Sequence, residues 1–282
     1  MRYPNSASGI QPLVLEVLGV RVRDMNTDRF KGKSILITGG AGGLGSQIAR
    51  SVVAQGGKVG ILDTNASAIA ALVTELNSGG KVAAGEIVDV RDSKSVDTAI
   101  NSLAKSLGSV DVLIAAAGGS LGTPRDLDDI SESDFDLVMD VNVKGTFNCA
   151  RSVIPHMKKS GGGSIVTFSS IGGRSASPVT GVPYATAKAA ILGLTRRFAK
   201  EVGEFNIRVN AIAPGLFLTD RLEGMFNEMS KSDQSEVINA IPLGRMPKLQ
   251  ECVDPVLFLA SDESSYITGT VLDVNGGRLM PN

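Results

Sequence analysis

Tyr184 and Lys188 stand four residues apart in the run Val182-Pro183-Tyr184-Ala185-Thr186-Ala187-Lys188, a spacing that puts a phenol and an ammonium on one face of a helix. A phenol ordinarily titrates near pH ~10, and a cation held beside it favours the phenolate. Tyr184 could then take a proton from an alcohol or return one to a ketone. The same spacing also occurs on ordinary exposed helical faces, so the rest of the chain decides between the two readings.

Other chemistries have few residues to work with. His156 is the single histidine, which removes most Ser-His and Cys-His nucleophile schemes and most His-bearing zinc sites. It follows Pro155 near an expected helix end, where a surface role suits it. Cys149 and Cys252 fit no metal-ligand spacing and no disulfide framework, which points to core packing in a reducing compartment. No metal is expected. The formal charge is -1, from 28 basic and 29 acidic residues, and their interspersion gives no basic stripe for nucleic acid or an anionic membrane. No apolar run reaches the roughly 20 residues of a membrane helix, and the first residues lack a signal-peptide core. The expectation is a soluble, cytoplasmic protein with a small-molecule substrate, the mitochondrial matrix being the second choice.

The elements that must position Tyr184 and Lys188 follow from the pattern along the chain. Short apolar runs read as strands at Ser34–Thr38, Lys58–Asp63, Val82–Asp89, Val110–Ala115, Ser164–Ser169, Arg208–Ala213 and Val271–Val274. Helix-length stretches fall between them, among them Gly45–Gln55, Ala66–Asn77, Ser93–Leu107, Phe135–Met157 and Tyr184–Glu201. Repeated β then α predicts an α/β fold in which a seven-stranded parallel sheet is doubly wound with helices on both faces. Residues 1–30 read as an N-terminal extension and residues 31–282 as one catalytic domain.

The first strand runs directly into Thr38-Gly39-Gly40-Ala41-Gly42-Gly43-Leu44-Gly45 and then a helix. Glycines there let backbone N–H groups approach a pyrophosphate at the helix N-terminus, so a dinucleotide is the expected ligand. Three glycine patterns fit this loop, one of the form G-x-G-x-x-G and two beginning at Thr38, and the loop alone does not choose among them. Asp63 closes the second strand, 18 residues after Gly45, where a carboxylate can accept from the adenosine ribose hydroxyls. A 2'-phosphate about 4 Å away would be repelled by roughly 4 kcal/mol per unit charge at an effective dielectric near 20. No Arg or Lys stands in the loop or in Asp63-Thr64-Asn65 to offset that. NAD is therefore the expected cofactor.

With these residues in place the chain resembles the classical short-chain dehydrogenase/reductase (SDR) family over about residues 31 to 277. Thr38-Gly39-x-x-x-Gly43-x-Gly45 is similar to that family's cofactor loop and Asp89-Val90 to its adenine-contacting pair. Asn142, in Val141-Asn142-Val143-Lys144-Gly145, resembles its helix asparagine, and Ser170 its serine ahead of Tyr184 and Lys188. Pro214-Gly215 with Phe217 and Thr219 resembles the segment that grips the nicotinamide amide, and Asn275-Gly276-Gly277 the closing turn. Leu44, Ala116 and Gly118 join the cofactor contacts that the resemblance implies. Two departures stand out: the usual Asn-Asn-Ala-Gly reads Ala115-Ala116-Ala117-Gly118, and Ser170 lies fourteen residues before Tyr184 where thirteen is common.

The resemblance implies a Rossmann-type fold and hydride transfer between a secondary alcohol or ketone and the cofactor. Tyr184 would carry the proton, Ser170 would hydrogen-bond the substrate oxygen, and Lys188 would lower the Tyr184 pKa and bind the nicotinamide ribose. Asn142 would hold a water that links Lys188 to solvent. Ser170 is preferred to Ser169 because strand alternation points the two in opposite directions. A 3-oxoacyl-carrier-protein reductase or hydroxyacyl-CoA dehydrogenase is the nearest alternative substrate reading. An extended family member would need a further sugar-binding domain after Lys188, for which too little chain remains, and a non-catalytic NAD-binding sensor would be expected to lose part of the tetrad. The apolar residues Leu218, Leu222, Met225, Phe226 and Met229 suit a lid over an apolar or alicyclic substrate and, equally, the ordinary core face of a helix. By resemblance, the two long helices at Phe135–Met157 and Tyr184–Glu201 would build a homotetramer or dimer.

Overall fold

The computed structural model describes residues 28–176, 180–217, 223–224, 226–227 and 230–280. Strands β1 (Ser34–Thr38), β2 (Lys58–Asp63), β3 (Ala83–Ile87), β4 (Val112–Ala115), β5 (Gly163–Phe168), β6 (Ile207–Pro214) and β7 (Val271–Val274) form one sheet, in the order β3-β2-β1-β4-β5-β6-β7. Every pair is parallel, so each connection must cross the sheet, and helices make most of those crossings. They are α1 (Gly43–Ala54), α2 (Ala66–Leu76), α3 (Ser93–Leu107), α4 (Glu132–Met139), α5 (Gly145–Lys159), α6 (Val182–Val202), α7 (Lys231–Asn239) and α8 (Gln250–Ala260).

Alternation along β1 sorts the core into two layers. Ile35 and Ile37 face α1 and α8 with Ile48, Val52, Val256 and Leu257, while Leu36 faces the side of α3, α5 and α6 with Ile100, Leu103, Val153 and Ala199. Strands covered on both faces read as nearly continuous apolar runs, and SILIT in β1 is wholly buried. Helix starts follow local chemistry: the Asn65 side chain accepts from Ala68 N at the head of α2, and Ser131 and Asp134 form a reciprocal capping box on α4.

The structure differs from the sequence reading in places that have physical causes. The helix expected over Phe135–Met157 starts at Glu132, ends at Lys159, and is interrupted by one wide π turn at Asp140–Lys144. A periodicity of 3.6 cannot reveal a single extra residue in a helix. Pro155 sits inside α5 and Pro255 inside α8; α8 has no counterpart in the sequence reading because a mid-helix proline removes a donor and reads as a break. Strands β3 and β4 are shorter than expected, since Val88 and Val110 are buried beyond the ladder ends.

Phe30 is 1 % exposed and packs among Val52, Val59 and other core side chains, its N–H donating to Gln55 O at 2.9 Å. Arg29 makes a two-point ion pair with Glu263, at 2.9 and 3.0 Å. The core thus begins before residue 31, ahead of the expected boundary. Residues 1–27, the greater part of the proposed extension, lie outside the described residues. Both cysteines are buried and free, and burial pushes each thiol up to about 12. No helix among the described residues is long and apolar enough to cross a membrane, and none of them form a metal-ligand cluster.

Candidate active site

The strand order reverses between β1 and β4, and in this architecture dinucleotides bind outside the C-terminal ends of the strands at that switch point. The glycine loop lies there. Gly39 has φ +63, and a Cβ on Gly45 would lie 2.2 Å from Gly39 O, so the turn closes only without side chains. A Cβ on Gly40 would lie 2.7 Å from Ile37 O. Gly42 caps α1 with no side-chain hydrogen bond, which leaves the first N–H groups of the helix open, and no acidic residue stands in its first turn. That is a cradle for an anion, and it fits the pyrophosphate of a dinucleotide. Gly43 and Gly45 begin α1, and Leu44 packs against the core beneath.

Asp63 ends β2 beside this loop, its carboxylate accepting from Ala41 N and Asn65 N, each at 3.1 Å. The cap of α2 is Asn65, so Asp63 is not spent on that duty. Asp89 follows β3 and is gripped by Arg91 in a bidentate pair as short as 2.6 Å, which holds its carboxyl below the usual range. Val90 is buried against Gly145, where an added Cβ would lie 2.5 Å from Val90 Cγ2.

The Ala115-Ala116-Ala117-Gly118 departure is compensated from outside the segment. Ala117 N donates to Thr38 Oγ1 at 3.1 Å, and Ala116 packs on the core. Asn142, 1 % exposed within the π turn, clamps the next residue: Gly119 N donates to its Oδ1 at 3.0 Å, and its Nδ2 donates to Gly119 O and Val138 O, each at 2.9 Å. The amide is thus committed to fixing the loop after β4, a positioning duty that differs from holding a water through the side chain. A Cβ on Gly118 would lie 2.3 Å from Asn142 Oδ1 and 3.4 Å from Lys188 Nζ, so these three residues converge at one point.

Ser170, Tyr184 and Lys188 meet at the end of β5. Ser169 Oγ donates to Lys188 O at 2.8 Å and is buried, whereas Ser170 turns its hydroxyl to the Tyr184 side, where it favours the phenolate, and accepts from Gly172 N at 3.1 Å. The two hydroxyls thus have different partners, Ser169 on the α6 backbone and Ser170 on the turn that follows β5. The turn Ile171–Gly173 lies flush on α6, because a Cβ on Gly173 would lie 2.4 Å from Lys188 C. Lys188 is 6 % exposed and donates to Phe168 O at 2.9 Å; its Nζ lies 5.6 Å from the centre of the Tyr184 ring. Burial brings the Lys188 ammonium down to about 8. Tyr184 runs opposite to the lowering expected from the sequence: burial raises its pKa, and the Ser170 hydrogen bond only partly opposes this. Desolvation dominates because Lys188 is aimed at the Phe168 carbonyl.

Pro214 ends β6, and Gly215 N donates to Val274 O at 2.8 Å, bringing the following loop against β7. Phe217 is buried in the core cluster. Thr219 lies outside the described residues, as do Leu218, Leu222, Met225 and Met229 of the expected lid. Phe226 is partly buried, with Gln234 Nε2 donating to its carbonyl at 2.9 Å, and α7 behind it is mostly exposed. Two groups at the site escape sequence reasoning: the Phe168 carbonyl and Gly119. A paired glycine directly after β4 is the signal that marks the second; a backbone acceptor leaves no signal.

Residues 39–278 match a family model described as enoyl-(acyl carrier protein) reductase. A 2-dehydro-3-deoxy-L-rhamnonate dehydrogenase (NAD(+)) of Sphingomonas sp. (strain SKA58) is 34% identical, over 89% of this chain and 96% of that protein. The 3-oxoacyl-(acyl-carrier-protein) reductase FabG of Thermotoga maritima is 37% identical, over 89% of this chain and 100% of that protein. Among solved structures, a 3-oxoacyl-(acyl-carrier protein) reductase with bound NAD from Brucella melitensis superposes with a TM-score of 0.81 at 33% identity, over 93% of this chain and 97% of that one. Fold, site and relatives agree: the chain belongs to the short-chain dehydrogenase/reductase family of oxidoreductases.

Proposed function

We propose that this protein interconverts a secondary alcohol and a ketone with NAD as its cofactor. The observation that carries the reading is the convergence of Ser170, Tyr184 and Lys188 at the C-terminal end of β5, on the same edge of the sheet as the glycine-rich loop at the head of α1. When bound, the nicotinamide ring of the cofactor supplies the hydride chemistry. Tyr184 gives or takes the proton at its phenol oxygen, and Ser170 steadies the charge that develops on the substrate oxygen. Lys188, brought down to about 8 by burial, donates to the Phe168 carbonyl and would hold the nicotinamide ribose with its remaining N–H groups. Asn142 holds Gly119 and so fixes Gly118, which lies between it and Lys188.

Asp63 supports the NAD preference, since its carboxylate sits against the glycine loop, and the rhamnonate relative is named for NAD(+). The FabG relative keeps a 3-oxoacyl substrate as the second reading. The expected homotetramer remains a proposal; Phe147 on α5, 43 % exposed and stacked on Phe198 of α6 at 6.0 Å, offers an apolar patch on the helices proposed to meet. The test is a screen of NAD reduction over secondary alcohols, hydroxysteroids and hydroxyacyl-CoAs, repeated with Tyr184→Phe. Tyr184→Phe should lose at least about 10²-fold in turnover while NAD binding, followed by fluorescence, stays within a few-fold. Turnover of no alcohol by the wild type, or retention of most of the rate by the variant, would overturn the assignment.

A further inference from the structure

Thr180 precedes α6 by two residues, and its Oγ1 is buried with no hydrogen-bond partner among the described residues. A buried hydroxyl normally finds a partner, because leaving one unmet costs stability. The surroundings of this one identify what it faces. A Cβ built on Gly172 would lie 3.1 Å from Thr180 Oγ1, 3.6 Å from Ser170 Oγ and 3.7 Å from Tyr184 Cε1. The unmet hydroxyl therefore lies beside the catalytic pair, with only the side-chain-free face of Gly172 between them. Ser170 accepts from Gly172 N at 3.1 Å; Thr180 takes no part in that bond. Its backbone is fixed from the far side, since a Cβ on Gly181 would lie 2.7 Å from Pro124 O.

We infer that Thr180 is a specificity-determining residue whose hydroxyl pairs with a second oxygen of the substrate, beyond the one held by Ser170 and Tyr184. The inference rests on the alcohol–ketone reading of the site and narrows it. Substrates carry a further hydroxyl or carbonyl within one or two carbons of the reacting carbon, in place of plain hydrocarbon alcohols. A threonine hydroxyl both donates and accepts, so either kind of oxygen satisfies it. A site that hydrogen-bonds a substrate oxygen discriminates strongly against the analogue that lacks it, because the site's own polar group is then left unpaired.

Matched pairs test this: cyclohexane-1,2-diol against 2-methylcyclohexanol, and cyclohexane-1,3-diol against 3-methylcyclohexanol, with NAD and with wild type, Thr180→Val and Thr180→Ser. Wild type should favour the diol of at least one pair by about tenfold or more in kcat/KM. Thr180→Val keeps the shape and removes the hydroxyl, so that ratio should fall by about tenfold, mainly through KM, and Thr180→Ser should restore most of it. Without substrate, Thr180→Val should raise Tm by about 2 to 4 °C, as an unpaired buried hydroxyl is lost. A ratio in Thr180→Val within twofold of wild type, no diol preference in either pair, or equal losses in the Val and Ser variants would overturn the inference while leaving the oxidoreductase reading standing. Wild type inert toward every alcohol, including the wider screen, sinks the underlying reading and this inference with it.

Discussion

Lys188 occupies the least water-like environment of any charged side chain described, and its protonation sets a measurable pH dependence. Its pKa is about 8 in the folded protein, against about 10.4 for a free lysine. Between these values the unfolded chain binds the proton that the folded protein has released, so stability rises with pH across that window. The buried thiols of Cys149 and Cys252, pushed up to about 12, and Tyr184, whose pKa is also raised, act the other way above their ordinary ranges, so the Lys188 contribution is read as the difference between wild type and a variant lacking the ammonium. Urea titrations from about pH 8 to 10 should show the stability of the wild type rising relative to that of Lys188→Met, and a constant difference between the two would remove Lys188 as the titrating group. Asp63 gives a second residue-scale expectation. Asp63→Asn keeps an acceptor for only one of the two donors, Ala41 N and Asn65 N, while removing the charge, so it should lower the melting temperature slightly and shrink the preference for NAD over NADP by at least about tenfold in kcat/KM. Equal wild-type use of both cofactors would show that the carboxylate does not face a 2'-phosphate. At this scale the sequence is informative where a side chain does the work, as with Ser170 against Ser169. It is silent where desolvation or a backbone carbonyl does, as with the Tyr184 pKa and Phe168.

The loop after β4 depends on one element, the π turn at Asp140–Lys144, which delivers the Asn142 amide to Gly119 and Val138. Asn142→Ala strips three partners from backbone groups that are then left facing the protein interior. Unfolding in urea should show a loss of about 2 to 4 kcal/mol, and amide exchange at Gly119 should accelerate well beyond the global change. Uniform acceleration across the sheet would assign Asn142 to general packing. The parallel strands are legible from sequence because two-sided burial writes continuous apolar runs such as SILIT, and the helices between them because their caps are local. Elements that break local rules stay hidden: the π turn, and α8 with Pro255 inside it. In both, tertiary packing overrides what the local sequence favours.

For the molecule as a whole, Phe30 and Arg29 mark where the packed domain begins. Removal of residues 1–27 should leave a protein with unchanged circular dichroism and cooperative melting. Extending the deletion through Phe30 should cost about 3 to 5 kcal/mol, the usual penalty for emptying an aromatic core site, besides the Arg29–Glu263 pair. A 1–27 deletion that is insoluble would place part of that segment in the core or between subunits. The overall topology is legible because β then α repeats, and the boundary is misplaced by a few residues because one buried aromatic in a turn has no period to announce it. The π turn also makes the chain's reading frame part of the machine. A helix advances about 100° per residue, so excising Val141 alone would swing the whole of α4 around its axis relative to α5, detaching a capping box, a packing face and the amide clamp together. A deletion of the size that surface loops absorb freely would here act as a frameshift in three dimensions.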